Sequence, residues 1–205
     1  MSLGMTVLAC IAVGLALYIN KIADTLPTDD EILAYRANEA SIVYDRKGRV
    51  ITELYVENRK PMKLEQFSKW MVMSILAAED SQFYSHKGIR PLAILRSLFS
   101  GEGGQGASTI TQQLARNLFL SSEKSLDRKA KEAIISLHME RLYSKDKLLE
   151  TYLNAIYFGH GAWGIDAAAH SYFNKSASDL TLGEASILAG LVAAPEKYSP
   201  IRNMN

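Results

Sequence analysis

Between Ser125 and Leu142 the chain reads SLDRKAKEAIISLHMERL, and no other stretch limits the available folds as much. At 3.6 residues per turn, Ala130, Ala133, Ile134 and Leu137 form one apolar stripe. Arg128, Lys131 and Glu132 occupy the other side, which continues as Ile135, Met139 and Leu142. A helix apolar on both sides over its second half is expected to be buried, with its charged first turns lining a cleft. Arg128 and Glu132 can be a plain i, i+4 ion pair. Yet Arg116, Lys124, Arg128, Lys129 and Lys131 make a local basic cluster in a chain of 205 residues whose formal net charge is only +1. Such a cluster suits a phosphate or pyrophosphate. The near-neutral whole gives no reason to expect nucleic acid as a partner.

From Leu64 onward the signals are almost all helical, so the fold class is mainly α. An apolar run (Trp70, Met71, Met73, Ile75, Leu76, Ala77, Ala78) gives out at Glu79-Asp80 and is followed by Phe83, Tyr84, His86 and Gly88. A partly buried carboxylate at such a point is a candidate general base; the alternative is a helix ending in a solvated acidic pair. Pro91 can open a helix through Leu92, Leu95, Arg96 and Phe99. Gly101 to Gly106 reads GEGGQG and formally satisfies GxGxxG. No strand precedes it, no acidic residue follows at the expected distance, and Gly-Lys-Ser/Thr is missing, so neither nucleotide motif holds. The loop feeds a helix at Thr109, where Gln112 three residues on completes a capping box. Free N–H groups there can hold an anion, although a glycine loop and a capped helix need no ligand. Ser144 is the expected N-cap of a helix through KDKLLETYLN, with Leu148, Leu149 and Tyr152 inward. A glycine-rich turn, GHGAWG at 159–164, precedes Ala167-Ala168-Ala169, small residues that permit close helix packing.

The front of the chain is different. Leu3 to Ile19 is almost wholly apolar and Met1 to Asn20 carries no charge. At about 1.5 Å per residue the run spans roughly 25 Å, slightly short of a bilayer core. An uncleaved transmembrane anchor over 1–20 is expected in preference to a cleaved signal peptide, which would have a basic n-region and a shorter apolar run. The missing basic flank suggests that Met1-Ser2-Leu3 replaces a native cytoplasmic end. A polar linker follows over 21–40. Then Ser41–Tyr44 and Val50–Tyr55 flank Asp45-Arg46-Lys47-Gly48 as a small β-hairpin. The whole chain is 48% hydrophobic and 22% charged, an ordinary globular composition, and residues 41–205 read as one compact domain. The single Cys10 cannot form an internal disulfide, and His86, His138, His160 and His170 show no metal-ligand spacing. No metal site is expected.

Five segments carry a family resemblance. EDSQFYSHKG (79–88), GASTITQQL (106–114), RKAKE (128–132), KDKLLETYLN (145–154) and GHGAWGIDAAAHSYF (159–173) resemble, in order and spacing, the motifs of the family 51 peptidoglycan glycosyltransferases. The hairpin and the ending APEKYSP (194–200) are similar to the transglycosylase half of class A penicillin-binding proteins. The resemblance implies a lysozyme-like, two-lobed helical domain with a small β-hairpin behind the N-terminal transmembrane helix. Its substrate would be lipid II, polymerised into β-1,4-linked glycan strands with inversion and release of undecaprenyl pyrophosphate. It implies Glu79 as catalytic base and Glu132 as second functional glutamate. Arg116, Lys124, Arg128 and Lys129 fall where the family holds the pyrophosphate. Ser108, Thr109, Gln112 and Gln113 match the second motif, and Lys145, Tyr152 and Asn154 the fourth, as substrate-binding positions. Asp80, Phe83, His86, Gly88, Gly106, Gly161 and Gly164 support the motifs.

The implied partners are lipid II, the growing glycan chain, the membrane and a cell-wall synthesis complex. The implied location is a bacterial inner membrane, crossed once, with the catalytic domain on the periplasmic side. No cofactor is evident, and a divalent cation travelling with the substrate pyrophosphate stays open. His160 stands where many relatives carry Arg, Asn174 where Gly is frequent, and Arg90 where an acidic residue is usual. The C-terminal end is expected to be truncated relative to the family. Two other functions stay open: a lysozyme-like or lytic glycan-cleaving enzyme, and a non-catalytic module that binds polyprenyl pyrophosphate. A cleaving enzyme has no pyrophosphate to hold, so the basic cluster argues for the transferase. One further expectation concerns Leu95, Leu98 and Phe99 together with Leu118, Phe119 and Leu120: one or both groups should be exposed and seat the domain in the membrane, the alternative being core.

Overall fold

The computed structural model describes residues 3–23, 25–34, 41–44, 46, 50–54, 61–93, 108–121, 123 and 125–200. Lys124, Gly106, Leu95, Leu98 and Phe99 therefore lie outside the described residues. The architecture is mainly helical. In chain order come α1 (Leu3–Ala23), α2 (Asp29–Ala34), β1 (Ser41–Tyr44), β2 (Val50–Leu54), α3 (Lys69–Glu79), α4 (Ile110–Phe119), α5 (Leu126–Leu142), α6 (Lys145–Ala155), α7 (Ile165–Phe173), α8 (Leu182–Leu191) and α9 (Pro195–Tyr198). β1 and β2 pair antiparallel, Ser41 opposite Leu54 and Tyr44 opposite Val50, with an irregularity at Val43/Tyr44.

The core is organised around α6. Ser144 accepts the Lys147 N–H and starts the helix. From there Leu148, Leu149, Tyr152 and Leu153 recur on one broad stripe and are fully buried. Burial of each such leucine contributes about 1.5–3 kcal/mol relative to leaving it in water. α4 packs against both α5 and α6, contributing Ile110, Leu114 and Ala115 to the interior. On the far side α3 packs on α8; the residues these two helices bury are Met71 and Ile75 on one, Ala185, Leu188, Ala189 and Leu191 on the other.

α5 corrects the expectation of a helix buried on both sides. Only the face that begins with charge turns inward, with Glu132, Ile135, Ser136 and Met139 buried. The stripe of Ala130, Ala133, Ile134 and Leu137 is the more open one, and Leu137 is 43% exposed. A polar residue can take an interior position when its hydrogen bonds are made inside. Here Ser136 Oγ donates to the Glu132 carbonyl and Glu132 itself is met by Lys129.

Inside the stretch read as a linker, α2 docks on α5. Ile32 is buried, the Tyr143 hydroxyl donates to its carbonyl (3.0 Å), and Asp29 pairs with Arg141 and His138. Leu118, Phe119 and Leu120 are half-buried against the core. Leu118 and Phe119 line a cavity of about 330 Å³ together with Ile32, Met139, Tyr143 and Leu148. Those three residues are thus packed partly against the interior, and none of them is among the exposed ones. Among the described residues no helix is long and apolar enough to cross a membrane. Several α1 side chains, among them Val7, Leu8, Ile11, Leu15 and Ile19, fall outside that description.

Candidate active site

Asp80 is where α3 stops, its N–H still donating to the Leu76 carbonyl (3.0 Å). Its carboxylate is wholly inside the protein, a costly place for a charge unless donors surround it. Oδ2 accepts from the Ile110 N–H (3.1 Å) and lies 2.8 Å from His86 Nε2, and Arg90 Nη1 is 3.9 Å from Oδ1. Since His86 Nδ1 accepts the Gly88 N–H (3.1 Å), the imidazole proton sits on Nε2 and donates to Asp80. Arg90, a departure from the family pattern, thus lies beside a buried acid.

Gly88 has φ +84°, and a Cβ there would fall 3.0 Å from Glu140 Cγ and from the Ser136 carbonyl oxygen. Only glycine fits both the backbone and the space. Its carbonyl receives the Thr109 hydroxyl. Phe83 is buried with the Lys145 ammonium 4.3 Å over its ring. Asp80, His86 and Gly88 thereby tie the end of α3 to the start of α4, and the neighbouring Glu79 is left half-buried at that junction.

The start of α4 is the expected capping box. Thr109 Oγ1 accepts the Gln112 N–H (3.1 Å) and Gln112 Oε1 accepts the Thr109 N–H (3.0 Å), so these two buried side chains serve the backbone. The next residue reaches the candidate base: Gln113 Nε2 donates to Glu79 Oε2 at 2.7 Å. Tyr152, from the buried face of α6, donates its hydroxyl to Gln113 Oε1 at 3.0 Å. Burial pushes the Tyr152 phenol well above its ordinary range, and the Glu79 charge adds to this while Arg116 opposes it. Tyr152 therefore keeps its proton.

Glu132 sits in a different setting. Its side chain is fully buried, with Lys129 Nζ 2.7 Å from Oε2 and Arg128 Nε 3.2 Å from Oε1. Lys129 Nζ also donates to Ser108 Oγ at 2.7 Å, joining the first turn of α5 to the start of α4. That first turn is positioned by Ser125, whose hydroxyl accepts the Arg128 N–H. Glu79, Gln113, Ser108, Arg128, Lys129 and Glu132 are thus connected through a single helix start. The arrangement offers a half-open carboxylate held from α4, and cationic side chains joined to the start of that same helix and ordered by a second, buried carboxylate.

Other sequence-predicted residues lie elsewhere. Asn154 is committed to holding residue 62: Oδ1 accepts the Met62 N–H and Nδ2 donates to the Met62 and Glu150 carbonyls, each at 2.8 Å. Lys145 pairs with Glu140 at 2.7 Å, and Glu140 also receives the Thr111 hydroxyl at 2.6 Å. Gly164 lets the chain pass Asn154, where a Cβ would come within 2.7 Å of the carbonyl oxygen, and Gly161 takes φ +73° in the same turn. Asn174 is the left-handed C-cap of α7, which explains an asparagine where glycine is frequent.

Sequence reasoning missed Glu140 and Tyr157. Tyr157 stacks on Trp163 with ring centroids 4.7 Å apart and donates to Glu196 at 2.9 Å. Both depend on contacts made across the fold, which no local pattern signals. Among the described residues no group of three or more His, Cys, Asp or Glu side chains converges as a metal centre would require.

A family model described as Transglycosylase matches residues 47–205. The chain is 48% identical over 166 residues to penicillin-binding protein 1F of Bacillus subtilis, covering 79% of this chain and 23% of that one. It is 46% identical over 167 residues to penicillin-binding protein 1A of Escherichia coli, covering 80% and 20%. The chain spans about a fifth to a quarter of the length of these relatives. A crystal structure of penicillin-binding protein 1A from Haemophilus influenzae matches 83% of this chain and 16% of that one at 22% identity, with a TM-score of 0.40. With most of the chain, residues 47–205, under the family model, the chain belongs to the transglycosylase family.

Proposed function

We propose that this domain is a peptidoglycan glycosyltransferase that joins lipid II units into β-1,4-linked glycan with inversion, releasing undecaprenyl pyrophosphate. The observation that carries the reading is the pairing of a half-buried Glu79, one oxygen of which is held by Gln113, with the Arg128–Lys129–Glu132 cluster tied to the same helix start. Glu79 takes the proton of the acceptor's 4-hydroxyl as that oxygen attacks the donor's anomeric carbon from the face opposite the pyrophosphate. The carbon–oxygen bond to the pyrophosphate breaks and its electron pair leaves with the phosphate. This is the geometry of an inverting glycosidase with a sugar hydroxyl in place of water. The leaving group needs charge stabilisation more than a proton, and Arg116, Lys124, Arg128 and Lys129 are the residues suited to supply it.

The finer reading follows the same family logic: a lysozyme-like, two-lobed body, anchored by the apolar run 3–19 and facing the periplasmic side of a bacterial inner membrane. Its support is the absence of any charge from Met1 to Asn20 and the need of a lipid-linked substrate to keep its tail in the bilayer. A cell-wall synthesis complex is the partner this reading implies. The test is incubation of the purified protein with lipid II and analysis of the products. Polymeric glycan is the expected product. Shortened pre-formed strands would instead establish a lytic enzyme, and binding of lipid II without conversion would establish a carrier module.

A further inference from the structure

Resting on that reading, we infer that Tyr152 is a positioning residue: it acts through Gln113 to hold Glu79 as a base, and neither Tyr152 nor Gln113 makes its contribution by gripping substrate. Tyr152 is 0% exposed, so its hydroxyl meets no ligand without the core opening. The polarity of the relay follows from chemistry alone. A carboxylate only accepts, so the Gln113 atom at 2.7 Å from Glu79 Oε2 is the amide nitrogen. That leaves Gln113 Oε1 to face Tyr152 at 3.0 Å, and the tyrosine must donate. Burial and the nearby Glu79 charge both keep the phenol protonated, in agreement with this direction.

The relay fixes the direction of the Gln113 amide. Were the amide to turn over, its NH₂ would oppose the Tyr152 hydroxyl hydrogen inside the core and its oxygen would face the Glu79 carboxylate. Tyr152 thus selects the amide orientation that donates to Glu79, and pins Oε2 so that Oε1 is presented to the acceptor hydroxyl. A neutral donor suits this role, because it orients a base without the strong charge pairing that would make it reluctant to accept a proton.

The experiment uses the full chain with lipid II and three variants, Tyr152→Phe, Gln113→Met and the double variant, with lipid II binding, kcat and thermal unfolding measured for each. Tyr152→Phe removes one oxygen and is expected to lower kcat about tenfold with lipid II affinity within about twofold of wild type. Gln113→Met, similar in length and without an amide, is expected to cost about a hundredfold. In series the two losses do not add, so the double variant should turn over like Gln113→Met. Normal turnover by Tyr152→Phe, weakened lipid II binding as its main defect, or multiplied losses in the double variant would each overturn the relay. Failure of the wild-type chain to make polymer would instead overturn the transferase reading, while variants compared with an active wild type test the relay alone.

Discussion

Glu79 and Glu132 are the same side chain in two opposed settings. Glu79 is half-buried and receives a neutral amide from Gln113, whereas Glu132 is fully buried between Lys129 and Arg128. Removing a carboxylate clamped by two cations breaks a buried ion pair with each of them. One that meets a neutral donor keeps the capacity to accept a proton. Burial alone would point to Glu132, the deeper of the two, and not to Glu79, the base of the proposed reaction. The partner's charge decides.

The comparison is broken most severely at Glu79. Glu79→Gln keeps the shape and is expected to lower polymerisation at least about a hundredfold, equivalent to about 2.7 kcal/mol of barrier, with unfolding temperature nearly unchanged. Glu132→Gln should show the reverse emphasis. Its amide must point a donor at one of two cations, which is expected to cost about 1–3 kcal/mol of stability, or roughly 2–12 °C in melting temperature for a chain of this size. Thermal unfolding of both variants beside the lipid II assay checks the contrast. A stable Glu132→Gln and an unfolded Glu79→Gln would invert the assignment.

How much of this contrast the sequence reveals depends on how local each part is. The capping box at Thr109 and Gln112 and the N-cap Ser144 were legible because each depends on residues three apart in the chain. Glu79 was legible as the acid that ends an apolar run. The openness of the stripe through Ala130, Ala133, Ile134 and Leu137 on α5 was not, because periodicity shows two faces and cannot say which one the rest of the protein covers. Nor was the Gln113–Tyr152 link, which joins residues 39 positions apart. Lys145 and Asn154 read as substrate contacts through resemblance, yet their polar atoms are engaged with Glu140 and with the Met62 backbone.

A smaller effect is expected one layer out, where the α3–α4 junction carries both settings. Thr109 caps α4 and gives its hydroxyl to Gly88, so Thr109→Ala removes the cap and one tertiary bond. A loss of about 0.5–2 kcal/mol is expected, read as a fall in urea midpoint at unchanged slope. Because α4 carries Gln113 and begins beside Ser108, the same variant should lower turnover modestly while leaving Glu79 and Glu132 in place. A full loss of turnover would mean that the cap is part of the chemistry.

The least effect is expected at a third glutamate, which serves as the surface counterpart of the other two. Glu184 closes the capping box of α8 with Thr181 and pairs with Lys175 at 2.7 Å. The Lys175 hydrogen bond, followed by those from Thr181, holds its carboxyl down at about 2 against an ordinary 4.5. A carboxyl lowered by folding makes the unfolded chain the better proton binder between those values, so its stabilising contribution is present above about pH 4.5 and fades as pH falls toward 2. Glu184→Gln keeps a side chain able to cap and removes only the charge. Urea midpoints of wild type and variant should therefore differ at pH 6 and draw together as pH is lowered from about 4.5 toward about 3, the difference at pH 6 also shrinking in high salt because the pair is near the surface. A gap that persists unchanged at low pH would mean that Glu184 acts by shape, and that the charge of the partner does not set the role of a glutamate at this position.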